Sequence, residues 1–116
     1  MIYLEQEVIQ GTDFFLPLNW QYELNYQSYT QDISGFIFEF KVKESVNTPN
    51  PPLVDVSTVN GGIVLNGPAG QANIYITNAV TATLPIGRWF YTLYSTNTAG
   101  LIEVLLMGPF TVKEAA

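Results

Sequence analysis

The sequence lacks cysteine and histidine altogether. Without cysteine it can form no disulfide framework, no thiol nucleophile and no Cys-ligated zinc site. Without histidine it also lacks the commonest general base, the Ser-His arrangement of hydrolases and the usual catalytic zinc sets. Acid–base or metal chemistry would therefore have to rest on carboxylates alone.

Basic residues are also scarce, because Lys and Arg number 4 against 10 Asp and Glu, which gives a net charge of -6. Binding to nucleic acid needs clustered Lys and Arg to displace counterions. The opening residues, MIYLEQEVIQG, contain neither a basic leader nor a long apolar run. We therefore expect no nucleic-acid partner, no membrane partner and no secretory signal, and we expect synthesis in a cytoplasm.

Apolar and aromatic residues are what the chain does contain. It is 47% hydrophobic and 14% aromatic over 116 residues, which suits a single domain with its own core. We therefore treat residues 1–116 as one domain. Only 12% of the residues are charged, about half the usual fraction, so we expect partners to cover part of an uncharged surface.

Period-two alternation is the clearest pattern. In FIFEFKVK (36–43) apolar residues occupy every second position and three charged residues lie between them, as in a half-buried strand. QANIYIT (71–77) and RWFYTLYS (88–95) repeat this alternation. The apolar phase places Phe38, Ile74, Trp89 and Phe110 in the core. Further strands are predicted at Ile2–Ile9, Asp13–Trp20, Leu53–Val56, Gly62–Leu65 and Leu101–Val112, the last interrupted at Gly108-Pro109 by a bulge or bend.

Turn-forming residues separate these apolar runs. DISG, NGG, NGPAG and NTAG contain residues that tolerate positive φ or bond to their own backbone, which favours hairpins. NTPNPP (47–52) predicts a loop. TNAVTATLP (77–85) predicts one helical turn, capped by Thr77 or Asn78, that crosses between two sheets. The pattern predicts an all-β fold, an immunoglobulin-like antiparallel β-sandwich of seven to nine strands.

Carboxylates form no recognised catalytic or metal-binding motif in the sequence. Asp32 opens the turn DISG, where its expected role is to accept backbone N–H groups, and Asp13 in GTDF is interpreted in the same way. The glycine-rich NGGIVLNGPAG lacks the lysine and the strand-loop-helix context of a phosphate site, so it predicts two β-turns. We predict no enzyme activity, no catalytic residue, no metal site and no cofactor.

The stretch LPIGRWFYTLYS (84–95) is typical of a corner at which the chain passes from one sheet to the other. Trp89 is interpreted as ordinary core. Two interpretations of Tyr91 stay open. It is either a corner tyrosine whose hydroxyl bonds back to the backbone, or an ordinary buried tyrosine that needs a hydrogen-bond partner.

Two segments are candidate contact surfaces. In WQYELNYQSYTQD (20–32), whose residues 20–30 are predicted to form a loop, tyrosines stand among polar residues, where they would contact another protein, pack over the end of the sandwich or stack on a sugar. Residues 1–11 form a candidate attachment strand, although Ile2–Ile9 would equally pair within its own sandwich. The predicted contact residues are Ile2, Leu4, Val8, Trp20, Tyr22, Tyr26 and Tyr29.

Several loose motifs occur in order along the chain: a Gly-x-x-Phe entry in GTDFFLPLNW, an Asp-x-x-Gly turn in DISGFIFEFKVKES, and the turns and strand of GGIVLNGPAGQANIYIT. A Leu-Pro-x-Gly-x-aromatic-x-Tyr corner follows in LPIGRWFYTLYST, and GLIEVLLMGPFTV ends the series. From Gly11 to Val112 the chain resembles the small immunoglobulin-like β-sandwich domains of tailed-bacteriophage virion proteins, of which the N-terminal domain of baseplate upper proteins is the nearest type.

This resemblance implies a non-enzymatic virion structural protein, serving as a tail, baseplate or fibre adaptor or as capsid decoration. Its expected partners are other virion proteins and further copies of itself in a homo-oligomer or multi-copy assembly. Related domains commonly continue into fibre or receptor-binding sequence, whereas this sequence ends at Ala116, which implies a stand-alone subunit. The alternatives are a carbohydrate-binding module for host attachment and, more weakly, a carboxylate-only hydrolase.

Overall fold

The computed structural model of the protein describes residues 2–44 and 52–115. Within these ranges the chain forms two sheets, a separate hairpin and a single helical turn, which confirms the all-β prediction. The strands are β1 (Ile2–Tyr3), β2 (Gln6–Ile9), β3 (Phe14–Asn19), β4 (Gln21–Leu24), β5 (Gln27–Thr30), β6 (Ile37–Lys43), β7 (Val54–Ser57), β8 (Ile63–Asn66), β9 (Gln71–Ile76), β10 (Gly87–Thr96) and β11 (Ile102–Lys113), and the helical turn is α1 (Asn78–Thr81).

The larger sheet has six strands, and its centre is antiparallel. Strands β7, β6, β10 and β11 lie side by side in that order. At the far edge both β1 and β2 pair with β11, and both pairings are parallel. The prediction of a wholly antiparallel sandwich is therefore wrong at this edge, because the N-terminal segment runs alongside the C-terminal strand in the same direction.

The smaller sheet has the order β3-β9-β8 and is antiparallel. Strands β4 and β5 pair only with each other among the described strands and form a separate hairpin. The chain passes from β9 in the small sheet through α1 to β10 in the large sheet, as the sequence predicted for residues 77–95.

The core lies between the two sheets and is rich in aromatic rings. Phe14 of the small sheet lies 6.1 Å from Phe40 and 5.3 Å from Phe110 of the large sheet, measured between ring centroids. Alternate residues of β6, β9 and β10 supply much of the rest of the core, as expected from the period-two pattern. The buried apolar residues are Val8, Phe14, Ile33, Phe38, Phe40, Val42, Val54, Ile63, Ala72, Ile74, Ile76, Leu84, Tyr91, Leu93, Leu106, Phe110 and Val112.

Phe38, Ile74 and Phe110 are buried as predicted, but Trp89 is not a core residue. Its ring is only half-buried and packs against the edge of the core. The indole N–H donates a hydrogen bond to the carbonyl of Pro85 over 3.1 Å. The ring therefore covers the corner before β10.

The described residues contain eleven strands, more than the seven to nine predicted. The increase arises because 2–9 is divided into β1 and β2, and because the predicted tyrosine-rich loop at 20–30 is the hairpin β4–β5. The bulge in β11 lies at Leu105, where the register against β10 shifts, and not at Gly108-Pro109. The predicted loop at 47–52 lies, except for Pro52, outside the described residues.

Asparagine side chains stabilise two of the turns. Asn97 Oδ1 accepts the backbone N–H groups of Ala99 and Leu101 between β10 and β11. Asn60 Oδ1 accepts those of Ser57 and Gly62 before β8. These bonds replace ladder hydrogen bonds where the chain reverses direction.

Asp13 acts at longer range than the sequence suggested. Its Oδ1 accepts the N–H of Asn78 over 2.7 Å, across 65 residues, whereas Thr77 at the N-cap makes no side-chain capping bond. Asp13 therefore caps α1 from the start of β3 and ties the crossover to the small sheet.

Candidate interaction surfaces

The hairpin β4–β5 is attached to the sandwich at its base. The N–H of Trp20 donates to the carbonyl of Gly70 over 2.7 Å, and the N–H of Gln31 donates to the carbonyl of Trp20 over 3.0 Å. Gly70 has φ of +65°, and a Cβ there would meet the carbonyl oxygens of Gln31 and Trp20. Only glycine, which has no Cβ, allows the backbone at position 70 to lie this close to the two carbonyl oxygens, and this contact holds the base of the hairpin in place.

The tip of the hairpin consists of Asn25 and Tyr26, with φ of 53° and 64°. Two consecutive positive φ angles are those of a type I′ turn, in which glycine is the usual second residue. Here that position holds Tyr26, and its side chain is fully exposed. An aromatic ring is therefore presented to solvent at a backbone position that disfavours it.

The other aromatic residues of this segment lie nearer the base. Tyr29 is exposed, and its hydroxyl donates to Oε1 of Gln27 over 2.8 Å. Trp20 is half-buried and its ring lies 5.1 Å from that of Phe38. Tyr22 lies opposite Tyr29 in the backbone register, but its side chain is outside what the structure describes. Among the described side chains, Tyr26 and Tyr29 are thus exposed, whereas Trp20 packs at the base of the hairpin.

The N-terminal segment pairs with its own sandwich, as the alternative interpretation of this segment held. Ile2 lies opposite Leu106, and Val8 lies opposite Val112. Its side chains divide into two groups. Ile2 and Leu4 are exposed at 61% and 44%, whereas Val8 is 5% exposed and belongs to the core. Val8 is therefore unsuited to contact a partner, because its side chain already faces inward.

The gap between β1 and β2 lies opposite Gly108-Pro109. Proline has no N–H to donate to a ladder, and a Cβ on Gly108 would overlap the carbonyl of Leu4. The N–H of Leu4 donates to the carbonyl of Met107 over 3.0 Å, which fixes the segment just before this gap. The Gly-Pro pair, predicted to break β11, instead accommodates the N-terminal segment.

Tyr91 connects the core to this segment. Its ring is buried beside Phe40, and its hydroxyl donates to the carbonyl of Leu4 over 2.5 Å. The partner is 87 residues away, so Tyr91 is a buried tyrosine with a distant partner and not a local corner tyrosine. Burial raises the pKa of Tyr91, while a hydrogen bond with Gln6 acts in the opposite direction.

Two clefts of about 220 and 370 Å³ adjoin Trp20, at the base of the hairpin. Trp20, Glu103 and Leu105 line both of them. Phe36 and Gln31 also line the smaller cleft. Its lining therefore combines aromatic residues with an amide and a carboxylate residue.

The outer face of the small sheet carries a further apolar surface. Phe15 and Tyr75 lie opposite each other on β3 and β9, with ring centroids 4.8 Å apart, and both side chains are exposed. Val64 on β8 is exposed as well. The sequence alone predicted no role for this face. The signal was present, since Phe15 and Tyr75 occupy the outward phase of strands whose inward positions are also apolar.

Charged side chains are dispersed over the surface. Lys41 pairs with Glu39 at 3.3 Å, and Lys113 pairs with Glu7 at 3.0 Å, in partly exposed positions where such pairs contribute little. Asp32 Oδ1 accepts the N–H of Ser34 over 2.8 Å, as predicted, and hydrogen bonding to Ser34 lowers the pKa of Asp32. Within residues 2–44 and 52–115 no three His, Cys, Asp or Glu side chains are grouped to hold a metal ion.

Among the same described residues, no helix has the length and apolar character needed to cross a membrane. No protein-family model matches the chain, and no curated protein matches it.

Proposed function

We propose that the protein is a non-enzymatic structural component of a tailed-bacteriophage virion that acts through protein–protein contacts. The motifs that carry the resemblance occupy defined places in the fold. Phe14 of the Gly-x-x-Phe entry begins β3, Asp32 opens the turn before β6, and Phe110 of the last motif lies in the core. These three motifs thus coincide with a turn or a buried position of the fold.

We further propose that the sandwich is immunoglobulin-like. In such domains strands C, F and G form one sheet, which an added strand extends beside C, and strands B, E and D belong to the other. Strands β7, β6, β10 and β11 follow the first order, and β3, β9 and β8 follow the second. The chain order of these strands agrees with this assignment, which supports the proposal.

The observation that carries the proposed contact function is the exposed ring of Tyr26. Tyrosines bury a large area at little entropic cost and are enriched in interfaces. A residue held at unfavourable φ and fully exposed contributes nothing evident to the stability of its own domain. Together with exposed Ile2 and Leu4, it supports attachment through the hairpin tip and the N-terminal segment.

The test compares the amounts of Tyr26→Gly protein and wild-type protein that are incorporated into phage particles. Glycine relieves the positive φ, so we expect the melting temperature to be unchanged or higher, while incorporation falls because the ring is lost. Val59→Ser is the matched control, since Val59 is 80% exposed on a different turn. Normal incorporation of the folded Tyr26→Gly protein would contradict the role of the hairpin, and absence of the wild type from purified particles would contradict the proposal.

The N-terminal segment is better tested by substitution than by deletion. Removing residues 1–9 would expose the edge of β11 and delete the buried Val8, so loss of incorporation could reflect unfolding. Ile2→Ser combined with Leu4→Ser keeps the backbone pairing and removes only exposed apolar side chains. We expect reduced incorporation with unchanged stability, and wild-type incorporation would remove this segment from the contact surface.

Carbohydrate binding is the alternative, and the smaller cleft beside Trp20 is the observation that favours it. Aromatic faces flanked by amide and carboxylate groups are suited to stacking on and hydrogen bonding to a sugar. A glycan array with the wild type and with Glu103→Gln would test this alternative. Binding by the wild type that Glu103→Gln abolishes would favour it over the protein-contact proposal.

The proposed absence of enzyme activity has its own test. In a broad hydrolase substrate screen we expect no turnover above a buffer control. Turnover that a single Asp or Glu substitution abolishes would overturn this part of the proposal and favour a carboxylate-only hydrolase.

A further inference from the structure

We infer that Asn66 is a site of spontaneous modification, at which the backbone nitrogen of Gly67 attacks the side chain and converts the asparagine to isoaspartate or aspartate. The isoaspartate product loosens the base of the hairpin β4–β5. This inference goes beyond the proposed function, because the reaction belongs to the chain itself and is measured on the purified protein. Failure of either proposal therefore leaves the other unaffected.

The chain contains two Asn-Gly pairs, Asn60-Gly61 and Asn66-Gly67. Every other asparagine in the sequence precedes a residue that has a side chain. Glycine has no Cβ, so the backbone nitrogen after the asparagine is open to the carboxamide and the backbone rotates with little hindrance. These two pairs are therefore the places where attack of the backbone on the side chain is sterically easiest.

The reaction needs only water as a co-reactant. A bond forms between the nitrogen of Gly67 and Cγ of Asn66, and the bond between Cγ and Nδ2 breaks. Nδ2 leaves as ammonia, together with the proton that the Gly67 nitrogen loses, and a succinimide ring remains. Water then opens the ring. Addition at Cγ gives aspartate, whereas addition at the backbone carbonyl carbon of residue 66 gives isoaspartate, in which the chain continues through the former side chain.

The carboxamide of Asn60 is held by the fold. Its Oδ1 accepts the N–H groups of Ser57 over 2.9 Å and of Gly62 over 3.0 Å. Its Nδ2 donates to the carbonyl of Asp55 over 2.9 Å. These hydrogen bonds must open before Cγ of Asn60 can meet the nitrogen of Gly61, so the folded structure protects this pair.

The carboxamide of Asn66 is not held in this way. Asn66 is the exposed last residue of β8, and within residues 2–44 and 52–115 no hydrogen bond restrains its side chain. Strand β8 is an edge of the small sheet and pairs only with β9 among the described strands. The end of an edge strand opens at a small free-energy cost, and opening allows the backbone rotation that ring closure requires. Asn66 is therefore the more reactive asparagine of the two.

The turn after Asn66 supports the base of the hairpin. The carbonyl of Gly67 accepts the N–H groups of Ile33 and Gly70, both over 3.0 Å. The carbonyl of Gly70 in turn accepts the N–H of Trp20 over 2.7 Å. A change in the backbone at residues 66 and 67 is therefore transmitted to both ends of the hairpin.

Isoaspartate adds one atom to the main chain at a position that has no room for it. Gly67 is buried, and even a Cβ there would lie 2.6 Å from Cα of Ser34. The carbonyl of Gly67 must therefore move and its hydrogen bonds weaken. The modification also adds a negative charge to a chain of net charge -6, but at an exposed position where solvent and salt screen it. We therefore expect the added backbone atom, and not the charge, to loosen the hairpin base.

The first experiment measures conversion at both pairs in one sample. The purified protein is incubated in mildly alkaline buffer, and tandem mass spectrometry of its peptides follows the replacement of NH2 by OH at Asn60 and at Asn66. In the folded protein we expect Asn66 to convert about tenfold faster or more, since each hydrogen bond that must open at Asn60 lowers the reactive population by about fivefold. In urea the protecting bonds are lost, so the two pairs should convert at similar rates.

Asn66→Gln is the matched variant for this experiment. It keeps the amide but lengthens the side chain, which disfavours ring closure, so conversion at residue 66 should disappear. Conversion at Asn60 that equals or exceeds conversion at Asn66 in the folded protein would overturn the inference. A folded protein in which Asn66 stays intact, while both pairs convert in urea, would overturn it as well.

The second experiment measures the hairpin base by NMR, as amide hydrogen exchange at Trp20, Gln31 and Ile33. Converted wild type, separated by anion exchange through its added charge, should exchange faster at these N–H groups than fresh wild type. Asn66→Gln protein incubated in the same way should not. Fresh Asn66→Asp protein carries the charge without the added backbone atom and should exchange like fresh wild type. Unchanged exchange after conversion to isoaspartate, or equal loosening in fresh Asn66→Asp, would overturn the link to the hairpin.

Discussion

Phe38 illustrates how a single residue of the alternating pattern contributes to stability. Its side chain is 1% exposed, and its ring lies 5.1 Å from Trp20 and 6.2 Å from Phe36. Phe38→Ala removes these contacts and leaves a cavity, so we expect a loss of about 3 to 5 kcal/mol in the free energy of unfolding. Urea denaturation measures the loss. A value under about 1 kcal/mol would contradict the burial of this ring.

Tyr91 contributes through one hydrogen bond as well as through packing. Tyr91→Phe keeps the ring beside Phe40 and removes the donor to the carbonyl of Leu4. We expect a loss of about 1 kcal/mol, measured by urea denaturation near neutral pH. Tyr94→Phe is the control, because Tyr94 lies on the opposite face of β10. Equal losses for the two variants would mean that the bond to Leu4 contributes nothing specific.

The pKa of Tyr91 also predicts a pH dependence. Burial raises it above the ordinary value of 10.0, so the folded state holds this proton more tightly than the unfolded state. The stability that Tyr91 contributes is therefore complete below the unfolded pKa and is lost as pH rises through the folded pKa. Between neutral and strongly alkaline pH, the wild type should lose more stability than Tyr91→Phe. Parallel curves for the two proteins would contradict this.

At the scale of an element, α1 depends on a residue outside itself. A single helical turn cannot stabilise itself, and Asp13 supplies the capping acceptor at Asn78. We expect Asp13→Ala to lower the free energy of unfolding by about 1 kcal/mol, measured by urea denaturation. Asp55→Ala, at an exposed position of β7, is the matched control and should change little. A loss no greater than that of the control would show that the cap is not needed.

The strands could be predicted from the sequence wherever one periodic face meets the core. Phe38 and Ile74 lie on such faces, and two-residue alternation is a local property that the chain displays directly. The cap at Asn78 could not be predicted, because its acceptor Asp13 is 65 residues away. The hairpin tip was also missed, since Tyr26 stands where the type I′ rule expects glycine.

The candidate surfaces were predicted less well than the strands for a related reason. Val8 is apolar, but the sequence does not determine which side of β2 faces inward, because that side is set by the pairing of β2 with β11. Similarly, Phe15 and Leu16 are adjacent and both apolar, so the pattern alone does not reveal which one is exposed. Apolar residues that point outward can be identified only from the packing of the two sheets against each other.

At the scale of the whole molecule, stability should be uneven. Strands β6, β10 and β11 lie inside the large sheet with partners on both sides, whereas the hairpin β4–β5 pairs only with itself among the described strands. We expect the slowest amide hydrogen exchange in β6 and β10 and the fastest strand exchange in β4 and β5. Exchange measured by mass spectrometry checks this order. Equal protection of the hairpin and of β10 would contradict it.

The parallel pairing of β1 and β2 with β11 has a mechanical consequence. Ile2 lies opposite Leu106 near one end of the pairing, and Ile9 lies opposite Lys113 at the other. Tension that pulls the chain before Ile2 and after Lys113 acts in opposite directions along these strands. It therefore shears the ladder and loads its hydrogen bonds together, instead of opening them one at a time. We therefore expect the domain to resist tension applied through its two ends.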